Sequence, residues 1–461
     1  MNTTLAKSTE PDSYYAKHQK VYPREVSGRF TNLRNLSTLV LLGLYYVLPW
    51  VPWGARQAVL FDLPARKFYL FGLVLWPQDF IFLTWLLVLA GLTLFFATAL
   101  GGRLWCGYAC PQTVWTEVFV QMERFAEGGR ARQMKLDRGP WTLEKIARKS
   151  GKQVLWISFS LWTGLTFVGY FAPIRQLIPA AASFDLGGWE LFWTFFYGFA
   201  TYGNAGYMRE QVCKYMCPYA RFQSAMFDRN TLVITYDTVR GEPRGARARN
   251  VDPRSRGLGD CVDCTVCVQV CPTGIDIRHG LQYECIACAA CIDACDEVMD
   301  KVGSPRGLIR YTTQNALDGK PSKILRPRVL VYATLLSLIT AVGVVGLALR
   351  KPVALDVMRD RSSLYRETTG GEIENVFNLR LLNKSEHPQR VRLSVTGIDG
   401  VHLDPSQHDV LVIAAGDAYP VAMRVQAPPD QFHGSRSIYF HLDFLDAPGK
   451  TLVERSRFIA P

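Results

Sequence analysis

The chain has 461 residues, of which 49% are hydrophobic and 12% aromatic, with a formal net charge of +12 and a mean hydropathy of +0.04. This apolar content excludes a disordered or collagen-like chain, because enough side chains can be buried to offset the entropy of folding. The length predicts about two to four domains. Twelve cysteines are too many for inert core packing, so we expect ligands, redox groups or disulfides.

Five uncharged runs are long enough to cross a bilayer, which takes about 20 apolar residues. Backbone polar groups in lipid must be paired within the segment, so each run is predicted to be a helix. The five runs cover 35–55, 80–102, 153–174, 191–208 and 329–349. A sixth run, at 68–78, is too short to span and is expected to be an interfacial or re-entrant segment.

The distribution of lysine and arginine predicts how these helices are oriented. Residues 1–34, 101–152 and 208–328 together hold 34 basic residues, whereas the loops at 56–79 and 175–190 hold four. The positive-inside rule therefore predicts a bacterial inner-membrane protein with a cytoplasmic N-terminus and a periplasmic tail. The tail is neutral, with 14 basic and 14 acidic residues, so the excess charge indicates membrane lipid as a partner and no nucleic acid.

Eight of the cysteines form two runs with the spacing C-x2-C-x2-C-x3-C, which is typical of bacterial ferredoxins. In that pattern three thiolates of one run and the last thiolate of the other hold one [4Fe–4S] cluster. Two zinc sites are an alternative, and disulfides are disfavoured in the cytoplasm. The first cluster is predicted at Cys261, Cys264, Cys267 and Cys295, and the second at Cys285, Cys288, Cys291 and Cys271. One departure is Asp296, which stands where the pattern usually has proline.

The other four cysteines form two C-x3-C-P motifs, offset by 107 residues, each of which follows a predicted membrane helix. They are Cys106 and Cys110, and Cys213 and Cys217. Both motifs are expected at the cytoplasmic membrane face, where the four thiols can converge. Pro111 and Pro218 are predicted to occupy the first turn of a following helix, whose positive end would lower the thiol pKa. Such thiolates suit Cu(I), a dithiol–disulfide step or a further iron–sulfur centre.

Several familiar cofactor motifs are missing. No histidine lies in a predicted membrane helix, which disfavours haem b within the bilayer. The chain has no phosphate loop and no dinucleotide fingerprint after a strand. Electrons must therefore come from quinol or a soluble protein reductant.

The tail has no cysteine and consists of six short runs of alternating polar and apolar residues with turn signals between them. Period-two alternation at this spacing predicts a β-sandwich of the immunoglobulin type. Five of the seven histidines lie here, and they are interpreted as surface residues rather than copper ligands.

With these motifs in place, the chain resembles the CcoG, FixG or RdxA family, the membrane iron–sulfur accessory proteins of cbb-type cytochrome c oxidase assembly. The resemblance rests on VYPREVSGRF, FDLPARKFYLFG, WPQDF, CGYACPQTVWTE, CKYMCPYARFQ, the two ferredoxin runs and the predicted tail. It implies copper binding and reduction of Cu(II) to Cu(I), with copper chaperones and oxidase assembly factors as partners. The resemblance makes Cys106, Cys110, Cys213 and Cys217 the copper-handling thiols and the eight ferredoxin cysteines the source of electrons.

Two alternatives stay open. The paired C-x3-C-P motifs also resemble the polyferredoxin proteins of periplasmic nitrate reduction, which favours a quinol dehydrogenase or electron-transfer subunit. A non-catalytic copper chaperone with structural clusters is the other.

The predicted fold is a multi-domain membrane protein: an α-helical bundle of five spans, a cytoplasmic 2[4Fe–4S] ferredoxin-like domain and a C-terminal immunoglobulin-like β-sandwich. An arginine-rich stretch at 240–257 is expected to be a solvated linker near anionic lipid. The predicted segments are an N-terminal segment at 1–34, a four-helix membrane domain at 35–228, a linker and ferredoxin-like domain at 229–328, a fifth span at 329–349 and the sandwich at 350–461.

Overall fold

A computed structural model describes residues 20–247, 252–404, 410–429, 433–447 and 449–461. His18 and His408 lie outside these ranges. The α-helices are α1 (Arg29–Val47), α2 (Phe80–Gly101), α3 (Leu104–Tyr108), α4 (Pro111–Glu127), α5 (Arg130–Arg138), α6 (Leu143–Val168), α7 (Ile174–Ala182), α8 (Gly188–Thr201), α9 (Pro218–Ala225), α10 (Thr238–Gly241), α11 (Val266–Gln269), α12 (Ala290–Val302), α13 (Gln314–Leu317) and α14 (Pro327–Ala348). Two π-helical segments, Tyr202–Met208 and Val212–Met216, separate α8 from α9.

The strands are β1 (Pro52–Trp53), β2 (Arg56–Gln57), β3 (Val59–Asp62), β4 (Lys67–Leu70), β5 (Leu73–Leu75), β6 (Val233–Tyr236), β7 (Ile309–Thr312), β8 (Val353–Arg359), β9 (Arg366–Glu367), β10 (Ile373–Asn383), β11 (Gln389–Thr396), β12 (His402–Leu403), β13 (Val410–Ile413), β14 (Ala418–Ala427), β15 (Gly434–Phe444) and β16 (Thr451–Ala460). All of the strand pairs described are antiparallel.

The described residues fall into two compact units. The first takes those within Met1–Gly43, Thr93–Gly164 and Thr194–Ala333, and the second those within Leu44–Leu92, Leu165–Trp193 and Thr334–Pro461. The chain passes from one unit to the other five times. Each passage lies inside one of the helices predicted from the five uncharged runs: α1, α2, α6, α8 and α14.

Two helices are long and apolar enough, by length and composition, to cross a membrane. Within the described ranges they are Pro77–Gly101 and Pro327–Ala348. The other three runs lie in helices that carry more charge or are shorter; α8, for example, has 14 residues. The prediction of five spans therefore stays a prediction, with two of the five helices meeting this test.

The first unit holds the ferredoxin-like region. Strands β6 and β7 pair from Val233 opposite Thr312 to Tyr236 opposite Ile309. Helices α11 and α12 lie in the two cysteine runs, and their apolar side chains share one core with the two strands. This arrangement places both runs around a common hydrophobic centre.

An aspartate of α12 caps the first long helix. The carboxylate of Asp293 accepts hydrogen bonds from the backbone N–H of Phe30 at 3.2 Å and of Thr31 at 2.7 Å, and from the Thr31 hydroxyl at 2.8 Å. These N–H groups have no partner within α1, because a helix leaves its first four donors unpaired. Asp293 is 7% exposed and lies between two cysteines of the second run. The cap therefore fixes the start of α1 to the cluster region.

The arginine-rich stretch is more ordered than expected where the structure describes it. Arg240 pairs with Asp260, and Arg247 donates to the Gly259 carbonyl at 2.9 Å and to the Ser304 hydroxyl at 2.6 Å. The prediction of a solvated linker is wrong for these two residues, because guanidinium groups have carbonyl and carboxylate partners within reach. Residues 248–251 of the stretch lie outside the described ranges.

The second unit contains the predicted β-sandwich. One sheet has the order β12-β14-β10-β8, with β9 also paired to β10, and the other has the order β13-β11-β15-β16. Their inward side chains form one core, in which the rings of Phe377 and Phe440 from opposite sheets lie 5.2 Å apart. In β10, every second residue from Ile373 to Leu381 is buried, and in β11 the same holds from Val391 to Val395, as period two requires. The sandwich prediction is confirmed.

The short run at 68–78, expected to be an interfacial or re-entrant segment, consists mainly of strands. It forms β4, β5 and the turn between them, in a three-stranded sheet with β3. Val74 and Trp76 share a small apolar core with Leu382 of the sandwich. The following Asp79 is buried and paired with Arg350 at 2.6 Å and Lys384 at 2.8 Å. Packing against the sandwich explains why an apolar run this short forms strands.

Candidate functional site

Four thiols from both ferredoxin runs line one small cavity in the first unit. Tyr236, Arg278 and apolar side chains complete its wall. The four are Cys261, Cys264, Cys267 and Cys295, the set predicted for the first cluster. Cys264 is exposed, whereas Cys261 and Cys267 are buried.

The remaining four thiols of these runs line a second cavity. They are Cys271, Cys285, Cys288 and Cys291, the set predicted for the second cluster. The wall is mostly apolar, with Ile234, Ile275 and Ile277, and also includes Thr273 and Cys267. Each cavity therefore combines three cysteines of one run with the last cysteine of the other, Cys295 in the first cavity and Cys271 in the second. The ligand role of each thiol stays a prediction.

The backbone of both runs is shaped to surround a central group. Asp263 and Thr265 flank the second cysteine of the first run with φ of 55° and 57°, and Ala287 and Ala289 do the same in the second run with 54° and 60°. This left-handed conformation costs a residue with a side chain roughly 1–2 kcal/mol. Its recurrence at matching positions indicates a loop wound around a ligand, since such strain persists only where the site requires it.

Hydrogen bonding in the second run also fits a sulfur-ligated cluster. The Ala287 N–H donates to the Cys285 sulfur and the Ala290 N–H to the Cys288 sulfur. Burial raises the pKa of Cys285 to about 12 and also raises the pKa of Cys291 and Cys288. Thiols in such a site give up their protons when metal binds. The donor set, the N–H groups and the backbone thus fit two [4Fe–4S] clusters.

The two C-x3-C-P motifs start helices as predicted. Cys110 is the N-cap of α4 and Cys217 the N-cap of α9, with proline at the first helical position in both. The motifs differ before that point, because the first cysteine lies in α3 in one motif and in a π-helical segment in the other. π-Helical turns are frequent at functional sites.

The fold brings these four thiols near one another. Ionised Cys110, Cys213 or Cys217 would each raise the pKa of Cys106, so all lie within electrostatic reach of it. Within the described part of the chain, however, no three His, Cys, Asp or Glu side chains are close enough to hold a single metal ion. We call these four neighbouring thiols the four-thiol site.

The expected lowering of the pKa is wrong for Cys106, Cys110 and Cys213. Burial raises the pKa of Cys106 and of Cys213 to about 12, and neighbouring thiols add to the effect. Burial also raises the pKa of Cys110, although backbone N–H groups of Gln112 and Thr113 at the helix start act in the opposite direction. Removal of the thiolate from water thus outweighs the helix terminus.

The four-thiol site lies directly against the second cluster cavity. Cys106 and Cys213 pack into the same apolar cluster as Cys288 and Cys291. Between them Gly107 comes so close to the second run that an added Cβ would lie 2.8 Å from the carbonyl oxygens of residues 286 and 287. Only glycine allows this approach, since real Cβ atoms do not come that near to backbone oxygen.

Two polar residues at this site were missed by sequence reasoning. Gln223 is fully buried; its side-chain oxygen lies 3.6 Å from the Cys106 sulfur, and its amide donates to the Gly102 carbonyl at 2.9 Å. Arg103 is buried beside the first motif and donates to backbone carbonyls on two other segments. Neither has a local sequence signal, because both act through contacts more than 100 residues away.

A cavity of about 480 Å³ gives access to this region. Cys213 and Cys288 both line it, together with side chains of residues 21–35 and of α4. Arginines and glutamates supply much of the wall, which suits a hydrophilic ligand rather than an apolar one. Of the four thiols at the C-x3-C-P motifs, Cys213 is the one found among the described lining residues.

Comparison with known proteins matches each of these parts. Family models match residues 208–314 as a 4Fe-4S dicluster domain, residues 82–125 as a 4Fe-4S binding domain and residues 343–461 as the IG-like fold at the C-terminal of FixG. The nitrogen fixation protein FixG of Rhizobium meliloti (strain 1021) is 41% identical over 423 residues, which is 83% of this chain and 80% of that protein. The chain belongs to the FixG/RdxA family.

Two further members of the FixG/RdxA family come from Cereibacter sphaeroides. Protein RdxB is 40% identical over 431 residues, covering 90% of each chain, and protein RdxA is 41% identical over 401 residues, covering 84% of each. The iron–sulfur domains and the C-terminal immunoglobulin-like domain are thus properties of this chain. The description of the C-terminal family classes FixG provisionally as an oxidoreductase.

Proposed function

We propose that this protein is a membrane-bound iron–sulfur oxidoreductase that binds copper at the four-thiol site and reduces Cu(II) to Cu(I) for cbb-type oxidase assembly. The observation that carries the proposal is the packing of Cys106 and Cys213 against Cys288 and Cys291 in one apolar cluster. Two soft sulfur donors lie there beside residues suited to hold a redox cluster. Thiolate ligands favour Cu(I) over Cu(II), which lowers the free energy of the reduced product.

The copper step transfers one electron. Cu(II) reaches the site through the cavity lined by Cys213, gains one electron and becomes Cu(I). The residues of the two cysteine runs would hold clusters that, when bound, supply single electrons. A quinol or a soluble reductant replaces each electron. Binding of copper by Cys106 and Cys213 releases their thiol protons, because both thiols are protonated near neutral pH.

The proposed topology places this chemistry on the cytoplasmic side of the bacterial inner membrane. Five passages of the chain between the two units, each within a predicted span, support five crossings. The first unit contains the three segments with most of the basic residues, and the positive-inside rule assigns these to the cytoplasm. The sandwich would then be periplasmic, and copper chaperones and oxidase assembly factors the partners that receive Cu(I).

The test is copper reduction by purified protein. Protein reduced with dithionite and freed of excess reductant is mixed with Cu(II) and a chromogenic Cu(I) chelator under anaerobic conditions. We expect Cu(I) in proportion to the electrons stored, and its loss in the double variant C106S/C213S with unchanged iron content.

The matched control is H402A. His402 lies in the sandwich and pairs with Glu372 at 3.5 Å, so its removal tests whether copper reduction needs the sandwich histidines. We expect no change. Normal Cu(II) reduction by C106S/C213S would contradict the assignment of the four-thiol site.

A second candidate function is electron transfer from quinol, with a third iron–sulfur cluster at the four thiols. The 4Fe-4S family match over residues 82–125 favours it, because that segment contains only Cys106 and Cys110. Reduction of the clusters by quinol in membranes free of copper would support this candidate over copper reduction. A non-catalytic copper chaperone would instead keep its copper delivery after loss of the ferredoxin cysteines.

A further inference from the structure

Arg103 connects three segments of the functional region. It precedes α3 and is 5% exposed. Its guanidinium donates to the Cys285 carbonyl at 3.2 Å, to the Ala220 carbonyl at 2.5 Å and to the carbonyl of Tyr283. One side chain therefore links the first C-x3-C-P motif, the helix that follows the second motif and the first cysteine of the second ferredoxin run.

The positive charge of Arg103 has no acidic partner. Within the part of the chain that the structure describes, its hydrogen-bond acceptors are backbone carbonyls, and its Nε has none. A buried cation without a counter-charge is costly, so proteins pair such groups with anions or metal centres. Two cysteines adjoin Arg103 in the structure: Cys106 follows it in α3, and the carbonyl of Cys285 accepts one of its hydrogen bonds.

Arg278, beside the first cluster cavity, shows the usual solution. It lines that cavity with Cys261 and is paired with Asp276 at 2.6 Å and with Asp263. The two carboxylates neutralise its charge locally. Arg103 therefore differs from Arg278, which has two carboxylate partners, and from Arg34, which donates to the Cys288 carbonyl at 3.4 Å and lies 3.7 Å from the carboxylate of Glu117.

We propose that Arg103 is a positioning residue that serves as the shared counter-ion of the four-thiol site and the second cluster. The inference rests on the proposed function only in requiring metal at the four thiols, whether copper or iron. A fixed positive charge stabilises the more negative, reduced state of a neighbouring centre and the thiolate form of metal ligands. Arg103 thus favours electron uptake at the second cluster and metal binding at the four thiols.

The test uses copper-free holoprotein and potentiometric titration followed by EPR. R103M should lower the reduction equilibrium constant of one cluster at least tenfold, which is 59 mV for one electron, and leave the other cluster unchanged. R103K keeps the charge and should shift that constant by less than half as much. R278M should shift the other cluster instead. These results do not depend on whether the protein reduces copper.

Metal binding at the four thiols is the second readout. In a competition with a Cu(I) chelator, R103M should bind Cu(I) at least tenfold more weakly than R278M. If R103M loses iron, R103Q, which keeps amide donors for the carbonyls, takes its place in both measurements. Three results would each overturn the proposal that Arg103 is a shared counter-ion. They are equal shifts in both clusters, a shift in R103K as large as in R103M, and unchanged affinity of R103M for Cu(I).

Discussion

The two ferredoxin runs have the same cysteine spacing but very different surroundings. The first cavity includes an exposed thiol, Cys264, and an arginine neutralised by two aspartates. The second has no exposed thiol in its set and lies against the four-thiol site, and the hydrogen-bond acceptors of Arg103 beside it are, among the described residues, backbone carbonyls. Spacing therefore specifies the cofactor, whereas the surroundings specify its role. We infer that electrons arrive at the first cluster and leave from the second.

The strongest test of this comparison removes a ligand of the second cluster. Cys291→Ser should reduce the iron content from about eight to about four atoms per chain, since one [4Fe–4S] cluster is lost. Because Cys106 and Cys213 of the four-thiol site pack with Cys288 and Cys291 of this cavity, Cu(II) reduction should fall about 100-fold or more, the scale of a disrupted transfer geometry. Iron analysis and the chelator assay measure the two effects.

The contrasting variant is Cys264→Ser, at the exposed ligand of the first cluster. It should slow re-reduction by the donor while leaving a single pre-stored electron able to reach copper. If C264S and C291S impair the single-turnover reaction equally, the assigned direction of electron flow is wrong.

The next largest loss of copper reduction is expected when the close contact between Gly107 and the second cysteine run is disturbed. Gly107→Ala would place a Cβ 2.8 Å from two backbone carbonyl oxygens and push the first motif away. Overpacking of this kind costs about 1–3 kcal/mol. We expect about eight irons, as in the parent protein, and Cu(II) reduction slowed about tenfold, because separation rather than cofactor loss is the cause.

Gly151→Ala is the matched control, since nothing lies within 4 Å of an added Cβ there. That variant should reduce copper at the parent rate. A parent rate in G107A as well would show that the close approach does not matter for transfer.

A smaller effect, on stability, is expected from a change in α12, the helix that contains cysteines of both proposed clusters. Asp293→Ala removes the cap of α1 and leaves two backbone N–H groups unpaired, which costs about 1–2 kcal/mol of unfolding free energy. The denaturation midpoint, followed by the loss of iron–sulfur absorbance, should fall by the same amount for both clusters. The reason is that α12 carries proposed ligands of both, Cys291 and Cys295. Asp300→Ala on the same helix, where the carboxylate is exposed and paired only with Arg306, should leave the midpoint unchanged. Independent melting of the two clusters would contradict a common support.

The sequence predicted those features that depend on local spacing. The two cysteine runs, the helix starts at Pro111 and Pro218 and the alternating strands of the sandwich all follow from residues close together in the chain. Arg103, Gly107 and Asp293 were missed because each acts on residues more than 100 positions away. The helix start after Cys110 predicts a lowered thiol pKa, whereas burial raises it, since a helix start is visible in sequence but burial is not.

The two C-x3-C-P motifs illustrate the same limit of local patterns. Their shared C-x3-C-P spacing correctly predicts a helix after each proline, yet one motif continues from an α-helix and the other from a π-helical segment. Such a difference depends on the backbone path imposed by packing.

The central claim is that the four thiols hold copper rather than iron. Elemental analysis with EPR on anaerobically purified protein tests it most directly, with C106S/C213S as the comparison. We expect about eight irons per chain in both proteins and bound copper only in the parent. About twelve irons in the parent, falling to about eight in the double variant, would contradict it and assign a third cluster to the four-thiol site.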